Sequence, residues 1–99
     1  MKVIFSRETR DDLEKIKSYI ATDSPLRAIS FVDELIDAAA QVAEIPEAFP
    51  LIPRYEHKGI RRKPYGNYLI FYQIEPTCIG IVHILHSAQD YAKLLFPDD

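Results

Sequence analysis

The sequence predicts an α+β fold of order β-α-α-β-β-β, in which an N-terminal helical hairpin packs on a small antiparallel sheet. Three observations support this prediction. Apolar residues recur at helical spacing through the first half of the chain. The second half instead contains runs of β-branched and aromatic residues, which are typical of strands. These runs are separated by short turns, and short turns between consecutive strands favour an antiparallel meander.

The first strand and the first helix are adjacent in the chain. Residues Lys2–Phe5 form a short β-prone run, and a helix-capping signal follows it directly. Ser6, or Thr9 with Asp12 three residues later, is a suitable N-cap. The helix is predicted over residues 8–21, and its apolar face consists of Leu13, Ile16 and Ile20.

The second helix begins with a strong N-terminal signal. Ser24 is a favourable N-cap, and Pro25 suits the first helical position, where no backbone N–H is needed. The short link to the first helix favours an antiparallel hairpin. The helix is predicted to end before Pro46, and three prolines then predict an extended segment, namely Pro46, Pro50 and Pro53. Its apolar face consists of Ala28, Phe31, Val32, Leu35, Ala39 and Val42.

The sheet half is predicted from β-propensity and turn residues. A basic strand over Gly59–Lys63 is followed by a turn at residues 64–67 and by two apolar strands over residues 68–74 and 79–85. The tail over residues 87–96 has apolar spacing that predicts a short C-terminal helix. Because both central strands are apolar at nearly every position, we expect the helices to cover one face and a partner to cover part of the other.

Length and composition favour one globular domain over residues 1–99, since 47% of the 99 residues are apolar and 27% are charged. The formal net charge of −3 argues against a ligand bound mainly through phosphates. No zinc-ligand spacing occurs among the single cysteine and the three histidines, so neither a metal nor another cofactor is expected. No apolar run reaches the length of a signal segment or a membrane span, which favours the cytoplasm.

Several short patterns occur in order along the chain. In the helical half these are Asp12-Leu13 with Ile16, Tyr19 and Ile20, then Ser24-Pro25 with Ala28, Phe31 and Leu35, then Pro46 and Pro50. In the sheet half they are Gly59-Ile60-Arg61-Arg62, Tyr68-Leu69-Ile70-Phe71-Tyr72, and Ile84-Leu85-His86 with Asp90. Together they resemble the ParE/RelE toxin superfamily from about Val3 to Leu95, although the family commonly has alanine where this chain has Thr9. Leu85-His86 followed by Asp90 is most similar to the ParE-like branch.

The resemblance implies the toxin of a type II toxin–antitoxin system, of the kind also described as plasmid stabilisation proteins. A ParE-like toxin inhibits DNA gyrase and is a binding protein rather than an enzyme. A RelE-like toxin, the alternative, is an endoribonuclease that cuts mRNA on the ribosome. Both are neutralised by a cognate antitoxin, so a hetero-oligomer with that antitoxin, or a homodimer, is expected. A second alternative is an interaction module of the same fold without toxicity.

A basic segment is the strongest candidate for contact with the target or the antitoxin. Its five cations, together with Tyr68, form the predicted contact set of Arg54, Lys58, Arg61, Arg62, Lys63 and Tyr68. Residues 8–47 carry mostly acidic charge, so the chain is electrically polarised. The competing interpretation is an edge strand that its charges keep from pairing with other chains.

His86 and Asp90 form a second candidate, either as a catalytic pair or as a structural hydrogen bond. In a helical turn their spacing would place them on one face, and we favour the structural role. If the chain is RelE-like, Glu56, Arg61 and His86 become the base, the transition-state stabiliser and the acid. His83 is expected to be a partly buried, hydrogen-bonded strand residue.

Overall fold

The computed structural model describes residues 1–99 and confirms the predicted α+β class and order of elements. Its strands are β1 (Lys2–Phe5), β2 (Ile60–Tyr65), β3 (Tyr68–Ile74) and β4 (Cys78–His86). Its helices are α1 (Arg7–Ala21), α2 (Pro25–Ala40) and α3 (Tyr91–Leu95), and short 3-10 helices lie at Gln41–Ala43 and Glu56–Lys58. No helix has the length and apolarity that crossing a membrane requires.

The four strands form one sheet in the order β1-β4-β3-β2. Strands β2, β3 and β4 form the predicted antiparallel meander. The expectation of a wholly antiparallel sheet needs correction, because β1 pairs with β4 in parallel, with Val3 opposite Ile79. The helical hairpin separates β1 from the meander and returns the chain to the far edge of the sheet. Nothing local in Lys2–Phe5 indicates that distant partner.

Both long helices begin at the predicted serines. The Ser6 hydroxyl accepts a hydrogen bond from the Thr9 N–H at 3.0 Å, and the Ser24 hydroxyl accepts one from the Arg27 N–H at 3.2 Å. Each bond satisfies one of the backbone donors that a helix start leaves unpaired. Pro25 occupies the first position of α2, as expected. Thr9 is therefore not the cap of α1, and its side chain is fully buried instead.

The helical hairpin covers one face of the sheet, which we call the helix face. Its core is formed by Leu13 and Ile16 of α1, buried residues of α2 and the strand residues opposite them, with Leu35, Val42, Ile70, Tyr72, Ile79, Ile81 and Ile84 almost fully buried. Apolar residues recur on this face of each helix at three- and four-residue spacing, so the periodicity that predicts the helices also builds the core.

The opposite face, which we call the tail face, is covered by the chain's own C-terminal segment. Tyr91, Leu95 and Phe96 pack against a smaller cluster of Ile52, Ile60, Phe71 and Leu85. The chain itself therefore covers the centre of this face, of which a partner was expected to cover part. Helix α3 begins only at Tyr91, later than predicted, and contains five residues.

Two local features set the register of the sheet. The β2–β3 turn contains only Gly66 and Asn67, because Pro64 and Tyr65 still pair with β3, and Gly66 has the positive φ that such a hairpin requires. In β4 the pairing shifts so that Val82 is an extra residue, which is a β-bulge. The bulge places Ile81 and Ile84 in the helix-face core and Leu85 in the tail-face cluster, so the simple alternation through β4 is broken.

Candidate functional site

The basic strand divides its cations between the two faces of the sheet. Arg61 pairs with Tyr72 and Lys63 pairs with Ile70, both of which belong to the helix-face core. Arg62 pairs with Phe71, which belongs to the tail-face cluster. Because successive strand residues point to opposite faces, this segment cannot present its cations as one surface.

On the helix face, the two cations bind backbone carbonyls of the chain itself. The Arg61 guanidinium donates to the carbonyl of Phe49 at 2.7 Å, and its distance to the carbonyl of Glu47 is 3.3 Å. The Lys63 ammonium donates to the carbonyl of Ala38 at 2.7 Å, in the last turn of α2, where carbonyls lack helical partners. Burial lowers the pKa of Lys63. These cations hold the end of α2 and the proline-containing segment to the sheet.

Tyr68 also lies on the helix face, away from Arg62. Its ring centroid is 5.6 Å from that of Phe31 and 5.2 Å from that of His86, in an edge-to-face arrangement with the histidine. Burial raises the pKa of the Tyr68 hydroxyl. The aromatic contacts give Tyr68 a packing role, so the predicted contact set does not form a single site.

On the tail face, Arg62 and Arg54 line one cavity of about 510 Å³. Arg62 donates from Nη1 to the Tyr91 hydroxyl at 2.6 Å, and its guanidinium carbon is 6.0 Å from the Tyr91 ring centre. Arg54 is exposed and has a φ of 75°, the only positive φ outside glycine. Lys58 lies near this cavity but is already paired with Asp99 at 3.1 Å.

His86 and Asp90 are not hydrogen-bonded to each other. The Ala88 N–H donates to Nδ1 of His86 at 3.0 Å, while the nearest cation to the Asp90 carboxylate is Lys93 at 4.0 Å. The helical spacing assumed for this pair is absent, because Asp90 precedes the first residue of α3. His86 instead closes the turn that follows β4.

The catalytic set of Glu56, Arg61 and His86 is not assembled in this structure. Along β3, Arg61 lies opposite Tyr72 and His86 lies opposite Tyr68, so four residues separate them. At a rise of about 3.3 Å per residue, that offset is roughly 13 Å. Glu56 is exposed on its short 3-10 helix and forms no hydrogen bond from its side chain.

A row of polar side chains that begins at the N-cap of α1 and faces β4 was not predicted. The Thr9 hydroxyl donates to the carbonyl of Ile81 at 3.0 Å, and the Ser6 hydroxyl donates to the carbonyl of Val82 at 3.1 Å. The Asp12 carboxylate accepts from the Ile84 N–H at 2.9 Å. These bonds provide hydrogen-bond partners for backbone groups of β4 where that strand extends beyond its pairing with β1. The available signal was the three-residue spacing of Ser6, Thr9 and Asp12, which places polar side chains on one face of a helix.

His83 completes this row. The bulge at Val82 brings its Nδ1 to 2.7 Å from the Asp12 carboxylate, and the prediction of a partly buried, hydrogen-bonded His83 is confirmed. The hydrogen bond raises the pKa of His83, and partial burial only partly opposes that shift. His83 therefore forms the histidine–carboxylate pair that the sequence had suggested for His86. No group of three or more His, Cys, Asp or Glu side chains is placed to hold a metal ion.

The family described as "ParE toxin of type II toxin-antitoxin system, parDE" matches residues 3–91. The chain belongs to the ParE toxin family. No curated protein sequence matches it. The family match confirms the resemblance inferred from the sequence and identifies a toxin of a type II toxin–antitoxin system.

Two solved structures support the ParE fold. One is described as the chromosomal ParDE toxin–antitoxin system from P. aeruginosa, with a TM-score of 0.74, 16% identity, and coverage of 87% of this chain and 95% of that chain. The other is the RelBE2 toxin–antitoxin complex from Mycobacterium tuberculosis, with a TM-score of 0.63, 23% identity, and coverage of 86% and 95%. At these identities the likeness concerns the fold.

Two surfaces of this ParE-family chain are open to partners. The first is the tail-face cavity with Arg54 and Arg62. The second is the outer side of the helical hairpin, which exposes large apolar side chains, namely Tyr19, Leu26, Ile29 and Ile36. Leu26, Ile29 and Ile36 share one face of α2, because they are separated by three and seven residues.

Proposed function

We propose that this ParE-family toxin inhibits DNA gyrase in the cytoplasm, without catalysis of its own, and that a cognate antitoxin neutralises it. The observation that carries the proposal is the family match over residues 3–91, which covers both the helical hairpin and the sheet. Gyrase inhibition requires a binding surface rather than a reacting centre, and the chain has two such surfaces.

The arrangement of charges favours gyrase over the mRNA target of the RelE-like alternative. Cleavage of RNA needs an acid, a base and a transition-state cation at one reacting phosphate. Here Arg61 on β2 and His86 on β4 pair with residues of β3 that are four positions apart. Arg61 and Lys63 also bind carbonyls of their own chain. We therefore restrict the proposed contacts from the basic segment to Arg54 and Arg62.

The antitoxin is proposed to cover the outer side of the hairpin. Leu26 is 82% exposed and shares one face of α2 with the exposed Ile29 and Ile36, and large exposed apolar side chains grouped in this way are typical of an interface. The two solved structures compared above are described as a toxin–antitoxin system and a toxin–antitoxin complex. The functional unit is then a hetero-oligomer of toxin and antitoxin.

The test is a paired assay on the purified chain without its antitoxin. One reaction follows the supercoiling of relaxed plasmid by gyrase, and the other follows mRNA in a translating extract. We expect supercoiling to stop while the mRNA stays intact. Codon-phased cleavage with active gyrase would establish the RelE-like alternative, and no effect in either reaction would indicate an interaction module without toxicity.

Antitoxin binding is tested separately with the product of the neighbouring gene. That protein should restore supercoiling to gyrase inhibited by the wild-type chain. Leu26→Asp should still inhibit gyrase but should resist this rescue, since Leu26 contributes to the exposed face and not to the core. Thr77→Asp adds the same charge in an exposed turn and should be rescued normally. Equal rescue of both variants would refute the proposed antitoxin surface.

A further inference from the structure

The tail-face cavity is lined by two arginines, Arg54 and Arg62, neither of which forms an ion pair within the chain. Arg62 uses one of its donors on the Tyr91 hydroxyl, and Arg54 has neither a hydrogen bond from its side chain nor an ion pair. Two other cations of the chain already have partners, since Arg27 pairs with Glu34 and Lys58 pairs with Asp99. A guanidinium has five N–H donors in a planar fork that matches a carboxylate, so this cavity retains most of its capacity to donate.

Arg54 occupies a backbone position that does not favour it. The Tyr55 N–H donates to the carbonyl of Ile52 at 3.0 Å, which closes a turn with Pro53 and Arg54 as its central residues. With proline first and a φ of 75° second, this is the geometry of a type II turn, in which glycine is preferred at the second position. Glycine would adopt this conformation without strain, and the arginine side chain forms no hydrogen bond or ion pair that would compensate for the strain.

The charge of the cavity suits a single carboxylate better than a chain of phosphates. The two guanidiniums share the lining with one carboxylate, that of Asp90, so the net charge of the lining is small. Asp98 and Asp99 follow in the adjoining tail. A polyanion longer than the cavity would extend toward Asp99, which lines the adjoining cavity together with Asp90, whereas a single carboxylate would not reach that far. The apolar part of the lining, from Ile52, Pro53 and Tyr91, suits the flanking side chains of a peptide.

We propose that the cavity binds one glutamate or aspartate side chain from an acidic segment of a partner protein, held between the guanidiniums of Arg54 and Arg62. Arg62 supplies a donor fork that Tyr91 orients, and Arg54 closes the other side. This inference rests on the contacts proposed above for Arg54 and Arg62 and names the chemistry that they recognise. Its peptide test does not use the supercoiling reaction, so the two proposals can fail separately.

The test is an NMR titration of the ¹⁵N-labelled full chain. The probe is a blocked Leu-Glu-Leu tripeptide, and its matched control is blocked Leu-Gln-Leu. The glutamate peptide should shift the amide signals of Arg54, Tyr55, Tyr91 and Ala92, with affinity in the millimolar range, while the glutamine peptide should bind about tenfold more weakly. Equal binding of the two peptides, or no shift with either, would overturn the proposal.

Two variants separate binding from folding. Arg54→Gly should weaken binding of the glutamate peptide about tenfold while the midpoint of thermal unfolding stays the same or rises. Arg62→Met removes the second fork and should have a similar effect on binding. Arg10→Gln removes one exposed charge from α1 and should bind normally. Unchanged binding in Arg54→Gly, which is expected to fold, would overturn the proposal even if Arg62→Met does not fold.

A short RNA distinguishes the alternative ligand. Hexauridylate should bind these residues more weakly than the glutamate peptide at the same ionic strength. Inorganic phosphate should displace the glutamate peptide only at concentrations similar to those at which acetate displaces it. Tighter binding of hexauridylate at Arg54 and Arg62 would show that the cavity is a nucleic-acid site and would overturn the assignment to a protein carboxylate.

Discussion

Replacing Asp12 by alanine should loosen the junction between α1 and β4. The carboxylate has a side-chain exposure of only 10%, and one of its oxygens accepts hydrogen bonds from the Ile84 N–H and from His83. Alanine keeps the helix, because it has the highest helix propensity. The substitution therefore does not disfavour the helical conformation of α1 and removes only the hydrogen bonds to β4.

The cost follows from those two bonds. A buried backbone N–H without an acceptor costs about 1–3 kcal/mol, and a hydrogen bond to a charged group contributes about 1.5–3 kcal/mol. Removing a buried carboxylate also removes part of its desolvation penalty, so we expect a net loss of about 3 kcal/mol. For a domain of this size each kcal/mol lowers the unfolding midpoint by about 4–8 °C, which gives a decrease of about 12–24 °C.

The assay is chemical and thermal unfolding near pH 7, followed by far-UV circular dichroism. Asp12→Asn is the matched control, because its amide oxygen still accepts from the Ile84 N–H while the charge toward His83 is lost. It should cost about 1–1.5 kcal/mol. A decrease in the free energy of unfolding below about 1 kcal/mol for Asp12→Ala would refute the view that the bonds from this carboxylate to β4 stabilise the fold. Equal decreases for both variants would refute it as well.

Three further predictions concern single residues. The raised pKa of His83 means that its contribution to stability is complete below the ordinary histidine pKa of about 6.5 and is lost as pH rises through the higher folded value. The midpoint temperature of wild-type unfolding should therefore fall as the pH is raised from about 6 to about 8.5. An equally steep fall with pH in His83→Gln would contradict this account. Arg54→Gly should raise the free energy of unfolding by about 0.5 kcal/mol in urea titrations, and a clear decrease would show that the arginine supports the fold. Lys63→Met should lower the free energy of unfolding, measured in the same way, by about 1 kcal/mol, because the hydrogen bond to the Ala38 carbonyl is lost. Lys17→Met, at an exposed position of α1, should leave that free energy within about 0.5 kcal/mol of wild type.

Much of the architecture was predictable because its signals are local. The capping serines Ser6 and Ser24 act on N–H groups three residues away, and helical periodicity repeats within one turn. The β-prone runs of β3 and β4 are likewise properties of short windows of sequence. The family resemblance drew on the same local patterns, placed in the right order, and the family match confirms it.

The candidate site was less predictable, because each side chain's role depends on a distant partner. The alternation of a strand already separates Arg61 and Lys63 from Arg62, so that division lies in the sequence of β2. Arg61 and Lys63 donate hydrogen bonds to carbonyls in the proline segment and at the end of α2. No local sequence pattern specifies these partners.

Tertiary structure also decided which histidine meets a carboxylate. The sequence suggested His86 with Asp90, four residues apart, because helical spacing is the only proximity that a sequence displays directly. The bulge at Val82 instead turns His83 toward Asp12, across 71 residues of chain. By itself the sequence determined the elements, their order and the toxin family. The assembled sheet determined which charges are occupied and which remain free for a partner, because those outcomes depend on contacts between segments that only the fold brings together.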